Sequence, residues 1–205
     1  MKSIYSAIFI ASAILLIAGC NNAESSGIGE SPAAKIADNN QDSIALTKLI
    51  KKVYKWVEKT ANNSDFSPKT NAATDTLYNG IDWAAHDKRV KAIKESNYFD
   101  KSFIDNYQKI AEYLDTALKS GREIWPVNEL PSFGYDASPW CGCQDNPDNY
   151  WDIIKVTDLK LNKDKADFSW TWGDGFMYKT KATKNNGVWK ISYLEGFKAD
   201  NFKSK

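Results

Sequence analysis

The last quarter of the chain, residues 151–196, alternates apolar and polar side chains in the way that is typical of β-strands. Turn-forming residues divide it into four runs, and turns this short join antiparallel neighbours. One face of the predicted sheet carries Ala166, Phe168, Trp170, Trp172, Phe176, Tyr178, Thr180, Ala182, Trp189, Ile191 and Tyr193, and the first run holds Ile153, Thr157, Leu159 and Leu161. The other face carries Asp167, Lys179, Lys181, Lys190 and hydroxyl side chains.

Helices are expected to cover the apolar face, and three upstream segments have helical patterns. Asp42 or Ser43 is predicted to cap a first helix with Leu46, Leu49, Ile50, Val53 and Val57 on one face. Residues 81–95 are a weaker candidate, with Trp83, Val90 and Ile93 as apolar members. A third helix should begin near Asp100 and end before Gly121, with the stripe Phe103, Ile104, Tyr107, Ile110, Ala111, Leu114 and Leu118. Residues 42–200 therefore predict a single α+β domain with two to three helices on one face of a four-stranded antiparallel sheet.

Residues 1–19 are predicted to be a secretory signal that lies outside this fold. Lys2 gives a positive start, and the apolar run of residues 7–18 is shorter than the about 20 residues that span a bilayer. The segment Ile17-Ala18-Gly19-Cys20 resembles the bacterial lipobox. That resemblance implies that Cys20 becomes the N-terminus and carries acyl chains such as palmitate, which anchor the protein to a membrane. A plain signal peptide with an incidental Cys20 is the alternative.

The lipobox resemblance also implies that the protein is located in the bacterial cell envelope. Asn21 stands where an Asp would favour retention in the inner membrane, so the expectation is the outer membrane with the domain facing the periplasm. Residues 20–41 are predicted to be the lipidated Cys and a flexible tether with a reach of about 25 Å. Without Lys2 the chain has 26 basic and 26 acidic side chains, and this balance argues against nucleic acid as a partner.

A long irregular loop, residues 122–150, precedes the sheet and holds four of the prolines. Its central part contains Asp136, Pro139, Trp140, Cys143, Gln144, Asp145 and Pro147, which we take as a candidate binding loop. With Tyr54-Lys55-Trp56, Phe99-Asp100 and Trp189-Lys190-Ile191, this loop resembles the YqhG/YbjP-type family of bacterial envelope lipoproteins of unknown function. Cys141 is extra to the family pattern, and the connection between the first two helices is long.

The resemblance implies a cone-like, curved sheet wrapped on helices, similar to cystatins and to nuclear transport factor 2-like domains. It implies no known reaction and transfers no catalytic residue. We therefore expect no enzyme activity and no cofactor.

Cys141 and Cys143 are the cysteines left once Cys20 is lipidated, and export would put them in an oxidising compartment. A bridge across the single residue Gly142 requires a bent backbone and would be strained and labile. Two unpaired buried thiols, or a redox or metal role, are the alternatives. Zinc is disfavoured because structural zinc sites have four nitrogen or sulfur ligands, and the chain has one histidine, His86.

Other residues with possible chemistry have ordinary explanations beside the functional ones. His86 without a recognisable nucleophile is expected to be a surface or helix residue rather than a general base. Asp145, Asp148, Asn149 and Asp152 offer calcium oxygens but also suit turns. The tryptophans of the sheet either fill the core or line a pocket, and the lysines on the other face are either solvated or contact an acidic partner.

These patterns favour a non-enzymatic, lipid-anchored envelope module that binds a macromolecular partner, an envelope protein. A narrower form of the hypothesis is an inhibitor or immunity protein that uses the loop. The alternative is a small-molecule binder or an unrecognised enzyme that uses the interior of the cone, which would need an open cavity with a convergent polar group.

Overall fold

A computed structural model describes residues 32–60, 65–129, 137–173 and 175–203, with side chains described from Asn40 onward. The helices are α1 Pro32–Lys59, α2 Trp83–Ser96, α3 Lys101–Lys119 and the one-turn α4 Tyr150–Ile153. The strands are β1 Lys155–Asn162, β2 Lys165–Thr171, β3 Tyr178–Asn185 and β4 Val188–Leu194. The predicted α+β fold, with helices against a four-stranded antiparallel sheet, is confirmed. The predicted signal, Cys20 and Asp136 lie outside the described residues.

Helix α1 begins earlier than the sequence pattern predicts. Its first residue is Pro32 rather than a residue next to Asp42 or Ser43, so nearly half of the predicted tether, residues 32–41, is helical. Proline suits the first position of a helix because its fixed φ fits and its missing N–H would be unpaired there anyway. The segment from Ala33 to Ala37 then contains three alanines, the best helix formers. The low hydrophobicity of residues 32–41 led to the prediction of a flexible segment. Their helix propensity agrees with the helix that the structure has there.

The other two long helices begin at capping aspartates. Asp82 caps α2 and accepts a hydrogen bond from the N–H of Ala85 at 3.0 Å. Asp100 caps α3 and accepts one from the N–H of Ser102 at 2.6 Å. Each carboxylate satisfies an N–H that the first turn of a helix leaves unpaired. The predicted start of α3 is confirmed.

The sheet is a simple meander in the order β1-β2-β3-β4, and it is not closed. Helices α1 and α3 pack on its inner face. The side chains on this face that are buried include Ala166, Phe168, Trp170, Tyr178, Ala182 and Ile191, as the alternation predicts. From α1, the ring of Tyr54 lies 4.4 Å from that of Trp170. The segment before α3 lies along the free edge of β4, where Ile191 N–H donates to the carbonyl of Tyr98 at 2.8 Å.

A β-bulge in β4 changes which side chains reach each face. Lys181 on β3 pairs with Tyr193, whereas the next residue, Ala182, pairs with Ile191, so Ser192 is the extra residue. One extra residue reverses the alternation beyond it. Tyr193 therefore lies beside Lys181 on the outer face, and Leu194 is buried in the core instead. The prediction that Tyr193 shares the inner face was wrong.

The start of the sheet also differs from the predicted one. Residues 150–153 form the one-turn helix α4, so Ile153 is not in a strand and is 49% exposed. Strand β1 has a bulge of its own between Thr157 and Lys160, and Asp158 has a φ of 52° there. Thr157 pairs with Ser169 on the outer face. The alternating pattern of a single strand does not reveal a bulge, because a bulge depends on how the strand pairs with its neighbour.

The domain has two distinct ends along the strand direction. The β1–β2 and β3–β4 turns lie together at one end, where the N–H of Lys184 donates to the carbonyl of Asp164 at 2.8 Å. Helix α1 reaches this end at Asp42, whose carboxylate accepts from Lys184 Nζ at 2.7 Å and Trp189 Nε1 at 2.8 Å. We call it the turn end. Trp170, Tyr178 and the long loop lie at the opposite end, the loop end.

Candidate functional site

The candidate binding loop is closed on itself by a covalent bridge and backbone hydrogen bonds. Cys141 and Cys143 form a disulfide, with their Cα atoms 5.2 Å apart. Gly142 between them has a φ of +65°, a conformation that glycine adopts at little cost. The carbonyl of Ser138 accepts from the N–H of Gly142 at 2.7 Å, and the N–H of Ser138 donates to the carbonyl of Cys143 at 2.9 Å. The bridge thus spans a compact turn, and its lability stays a prediction.

Trp140 anchors this turn in the core. The side chain is 4% exposed, and its ring lies edge-on to Phe197 at 4.7 Å and packs 6.0 Å from Phe103. The indole N–H donates to Asp65 at 2.5 Å. Because Trp140 is buried on all sides by the rest of the domain, it positions the loop and cannot itself contact a partner in this conformation.

Asp65 is the centre of a polar cluster beneath the loop. Its carboxylate accepts from Arg89 Nε at 2.9 Å and from the Tyr107 hydroxyl at 2.6 Å, in addition to Trp140. The Arg89 side chain is 2% exposed, and its guanidinium also donates to Thr60 Oγ1 at 2.9 Å. Burial, and then the adjacent Asp65 charge, raises the pKa of Tyr107 well above its usual value. A buried ion pair of this kind is stable only when further hydrogen bonds satisfy both of the charged groups.

Two tyrosine hydroxyls hold the backbone of the loop. Tyr178 on β3 donates to the carbonyl of Pro139 at 2.6 Å and accepts from the N–H of Gly196 at 2.7 Å. Tyr54 on α1 donates to the carbonyl of Trp140 at 2.5 Å. Burial raises the pKa of both phenols, so both stay protonated and can donate.

The loop residues divide into an anchored half and an exposed half. Pro139 and Cys143 are half-buried, and Trp140 and Cys141 are buried, whereas Gln144, Asp145 and Pro147 are exposed. Two apolar side chains at the same end are also exposed, Ile153 at 49% and Met177 at 48%. The sequence pattern named neither of them as a contact residue. The surface that a partner could contact is therefore Gln144, Asp145 and Pro147, with Ile153 and Met177 at the same end.

His86 is buried inside the helix layer rather than lying at the surface. The imidazole is 2% exposed and stacks on Tyr107 with ring centroids 5.4 Å apart. Its Nε2 lies 2.8 Å from the amide oxygen of Gln108, and Nδ1 has no hydrogen-bond partner among the described residues. An amide neither orients nor activates a histidine base as a carboxylate does. The geometry gives His86 a packing role.

The inner face of the sheet is filled by side chains rather than opened as a cavity. Trp170, Tyr54, Tyr107 and Phe103 are among the largest fully buried side chains. Trp189 is 5% exposed, and the half-buried Trp172 stacks on Phe176 at 3.9 Å. For these tryptophans the core interpretation fits better than the pocket interpretation, because the described side chains of this face pack against one another.

The outer face of the sheet has a depression of about 890 Å³ that is open to solvent. It is lined by Asp158, Lys160, Asp167, Phe168, Ser169, Lys179, Thr180, Lys181, Tyr193 and Lys198. Eight of these ten residues are polar or charged, and Lys160, Lys179, Lys181 and Lys198 are all exposed. The sequence predicted the lysines here, but the presence of Tyr193 depends on the bulge in β4.

Neither a metal cluster nor a membrane-spanning helix is seen in the described residues. In that part of the chain no group of three or more His, Cys, Asp and Glu side chains could hold a metal ion. None of its helices is long and apolar enough to cross a membrane. Comparison with models of protein families, with curated proteins and with solved structures found no match to this chain. The YqhG/YbjP-type resemblance therefore stays a prediction.

Proposed function

We propose that this protein is a lipid-anchored, non-enzymatic module of the bacterial envelope that binds a protein partner through Gln144, Asp145 and Pro147. The observation that carries the proposal is the contrast within the loop. Its backbone is held by a disulfide and by the hydroxyls of Tyr54 and Tyr178, while Gln144, Asp145 and Pro147 remain exposed. A loop that is already ordered loses little conformational entropy on binding, and this raises affinity.

The position of the loop in the domain supports the same proposal. Helix α1 reaches the turn end at Asp42, and Pro32 lies ten residues further back, or about 15 Å of helix. An acylated Cys20 would be joined to Pro32 by residues 21–31, a connection of at most about 40 Å. The turn end would then lie towards the membrane, and the loop end would point away from it. We infer the periplasmic side of the outer membrane, as the residues around Cys20 indicate.

An inhibitor or immunity protein is the narrower form of this proposal. Inhibitors of enzymes commonly present pre-ordered loops whose backbone moves little on binding. The exposed Ile153 and Met177 at the loop end could supply the apolar contacts that such interfaces need. The predicted phenotype is that cells lacking the protein die when exposed to the matching toxin, and their survival would exclude the inhibitor form.

Site-specific crosslinking in cells tests the binding site. A photo-crosslinking amino acid at Gln144 of the full-length lipoprotein is expected to capture one protein, which mass spectrometry identifies. The matched control carries the same group at Lys109, on the exposed side of α3. A second variant, Asp145→Lys, should reduce the yield at position 144 without reducing expression. Capture of the same proteins from positions 144 and 109, or no capture from 144, would contradict the proposal.

The anchor is tested separately with Cys20→Ala. The chain that retains Cys20 should sediment with membranes and should incorporate labelled palmitate, and the Cys20→Ala variant should do neither. If Cys20→Ala remains in the membrane fraction, the lipid anchor is not the attachment.

A further inference from the structure

The side of helix α1 that points away from the sheet carries a row of lysines that the loop does not use. The lysine row consists of Lys48, Lys52, Lys55 and Lys59, which are all exposed. Spacings of four, three and four residues place them within about 60° of one another around a helix with 3.6 residues per turn. The buried Val53 and Val57 lie on the opposite side of α1.

No acidic side chain pairs with the lysine row. Within the part of the chain that the structure describes, other lysines such as Lys119 and Lys184 form ion pairs, but the four lysines of the row form none. Residues 43–59 contain five lysines and one acidic residue, Glu58. Glu58 lies about a quarter turn around the helix from the centre of the row.

The charged groups that other elements bring to α1 do not cancel the lysine row either. Asp152 of α4 lies against the fifth lysine, Lys51, whose Nζ donates to the Asp152 carbonyl at 2.6 Å. Asp42 accepts from Lys184 of β3 at 2.7 Å. With Asp152 set against Lys51, Asp42 against Lys184 and Glu58 against the row, four positive charges less one leave the row a net charge of +3.

An exposed apolar side chain continues the lysine row towards the start of α1. Ile44 lies four residues before Lys48, on the same side of the helix, and is 49% exposed. Lysines in line with an exposed aliphatic residue are typical of helices that lie on an anionic bilayer. There the apolar group enters the headgroup region, and the long lysine stems carry their charges to the phosphates.

We infer that the lysine row and Ile44 form a membrane-docking surface and that its occupant is a bilayer containing anionic phospholipids. The row extends over 11 residues, or about 17 Å, along the convex surface of one helix. A flat surface can contact all four lysines at once, whereas a convex helix offers a peptide or small ligand no enclosing walls. Each lysine at an anionic bilayer strengthens binding about fivefold.

The short connection to the anchor brings this surface to the bilayer, and here the inference rests on the lipid anchor proposed above. Residues 21–31 would hold the start of α1 within about 40 Å of the membrane. Docking is then an intramolecular step at high effective concentration, so weak electrostatic contacts suffice. An acyl anchor together with a basic patch is also a recognised route to stable membrane attachment.

Docking would change how the domain presents its loop. With the acyl chains as the only attachment, the turn end lies towards the membrane and the loop end points away from it. With the lysine row on the bilayer, α1 lies along the membrane plane, and the loop end faces sideways. The anionic lipid content of the membrane therefore selects between two presentations of Gln144 and Asp145 to a partner.

Lysine labelling of the full-length lipoprotein in vesicles tests the inference. A membrane-impermeant amine reagent and mass spectrometry compare vesicles of phosphatidylcholine with vesicles that also contain phosphatidylglycerol. Labelling of the lysine row should fall about fivefold or more in the anionic vesicles. Lys160 and Lys179, exposed on the opposite face of the sheet, should be labelled equally in both. Salt at about 1 M should restore labelling of the row, because the Debye length falls to about 3 Å.

Two double variants with the same change in charge separate the lysine row from general electrostatics. Lys52→Gln/Lys55→Gln should restore labelling of Lys48 and Lys59 in anionic vesicles. Lys160→Gln/Lys179→Gln should leave both protected. The same effect of the two double variants, or equal labelling of the row in both kinds of vesicle, would overturn the inference.

The remaining outcomes distinguish this surface from the anchor and from the loop. Protection of the lysine row by an envelope protein extract, but not by anionic vesicles, would assign the row to an acidic protein and overturn the inference. Sedimentation with phosphatidylcholine vesicles reports the Cys20 anchor alone, so failure of docking is distinguishable from failure of the anchor. Crosslinking from Gln144 reports the loop independently of both.

Discussion

Tyr178 on the inner face of the sheet and Pro139 in the long loop are joined by a 2.6 Å hydrogen bond from the phenol to the backbone carbonyl. The same hydroxyl accepts from the N–H of Gly196 at 2.7 Å. One side chain therefore connects the loop, the sheet and the segment after β4.

Tyr178→Phe should destabilise the domain by about 1–3 kcal/mol, since it leaves a buried carbonyl and a buried N–H without their partner. Urea unfolding followed by tryptophan fluorescence measures this. Tyr193→Phe is the control, because that ring is half-exposed on the outer face, and we expect its effect to be within about 0.5 kcal/mol. Equal effects of the two substitutions would show that the Tyr178 hydroxyl does not hold the loop.

Asp65→Ala should lower the free energy of unfolding by about 3–5 kcal/mol, because it leaves the buried Arg89 guanidinium without its counter-charge. The double variant Asp65→Ala/Arg89→Met should recover part of this loss, since the uncompensated charge is removed with its partner. A double-mutant cycle by chemical denaturation gives the coupling free energy. Strictly additive effects would contradict the assignment of Asp65 as the partner of Arg89.

Gly196→Ala should lower the free energy of unfolding more than the addition of one methyl group would suggest. A Cβ at this position would lie 2.0 Å from the carbonyl oxygen of Pro139, so either the loop or the segment after β4 must move. Gly187→Ala is the comparison: its φ is +78°, but a Cβ there meets nothing within 4 Å. We expect a loss of about 1 kcal/mol for Gly187→Ala and a larger loss, with increased hydrogen exchange in residues 138–143, for Gly196→Ala.

Asp115 should make stability fall at acid pH. Burial opposes its ionisation, but hydrogen bonds from Lys119 Nζ at 2.6 Å and the N–H of Ile81 at 3.0 Å outweigh burial and lower its pKa below the usual 3.8. A lowered folded pKa means that the contribution is complete above the unfolded value and is lost as pH falls through the folded pKa. Asp115→Asn should therefore be less stable near neutral pH and lose less stability below about pH 4. Parallel acid profiles for the two proteins would contradict this prediction.

Removing the disulfide should loosen the loop more than the domain. The bridge closes a very short ring, so Cys141→Ala/Cys143→Ala should lower the free energy of unfolding by only about 2 kcal/mol. Hydrogen exchange at the N–H groups of Gly142 and Ser138, which bond within the turn, should rise much more than exchange in α3. Unchanged exchange in the turn would show that the tyrosine hydroxyls alone order it.

Much of the fold was predictable because local patterns carry it. Alternation identified β2 and β3, the helical stripe identified α3, and a capping aspartate marked where α3 begins. Each of these signals depends on a few neighbouring residues. The start of α1 was missed because the hydrophobic pattern begins at Leu46, fourteen residues after the helix does.

The candidate site was predictable only in part. The sequence indicated the long loop and its residues, but not that Trp140 points into the core while Gln144 stays outside. It indicated the lysines of the outer face, but the bulge at Ser192 that brings Tyr193 to them depends on pairing with β3. Asp65 was not singled out at all, since a lone aspartate in a polar segment gives no signal of its buried partners Arg89, Tyr107 and Trp140.

The sequence by itself determined the α+β class, the order of the elements and the segment that resembles a lipid-anchoring signal, because periodicity, capping and composition are local properties. The tertiary structure decided which residues of the loop are anchors and which are exposed. It also decided the filled inner face, the buried Asp65 cluster and the open depression on the outer face. These features arise where segments far apart in sequence meet, and hydrogen bonding and packing there depend on all partners at once.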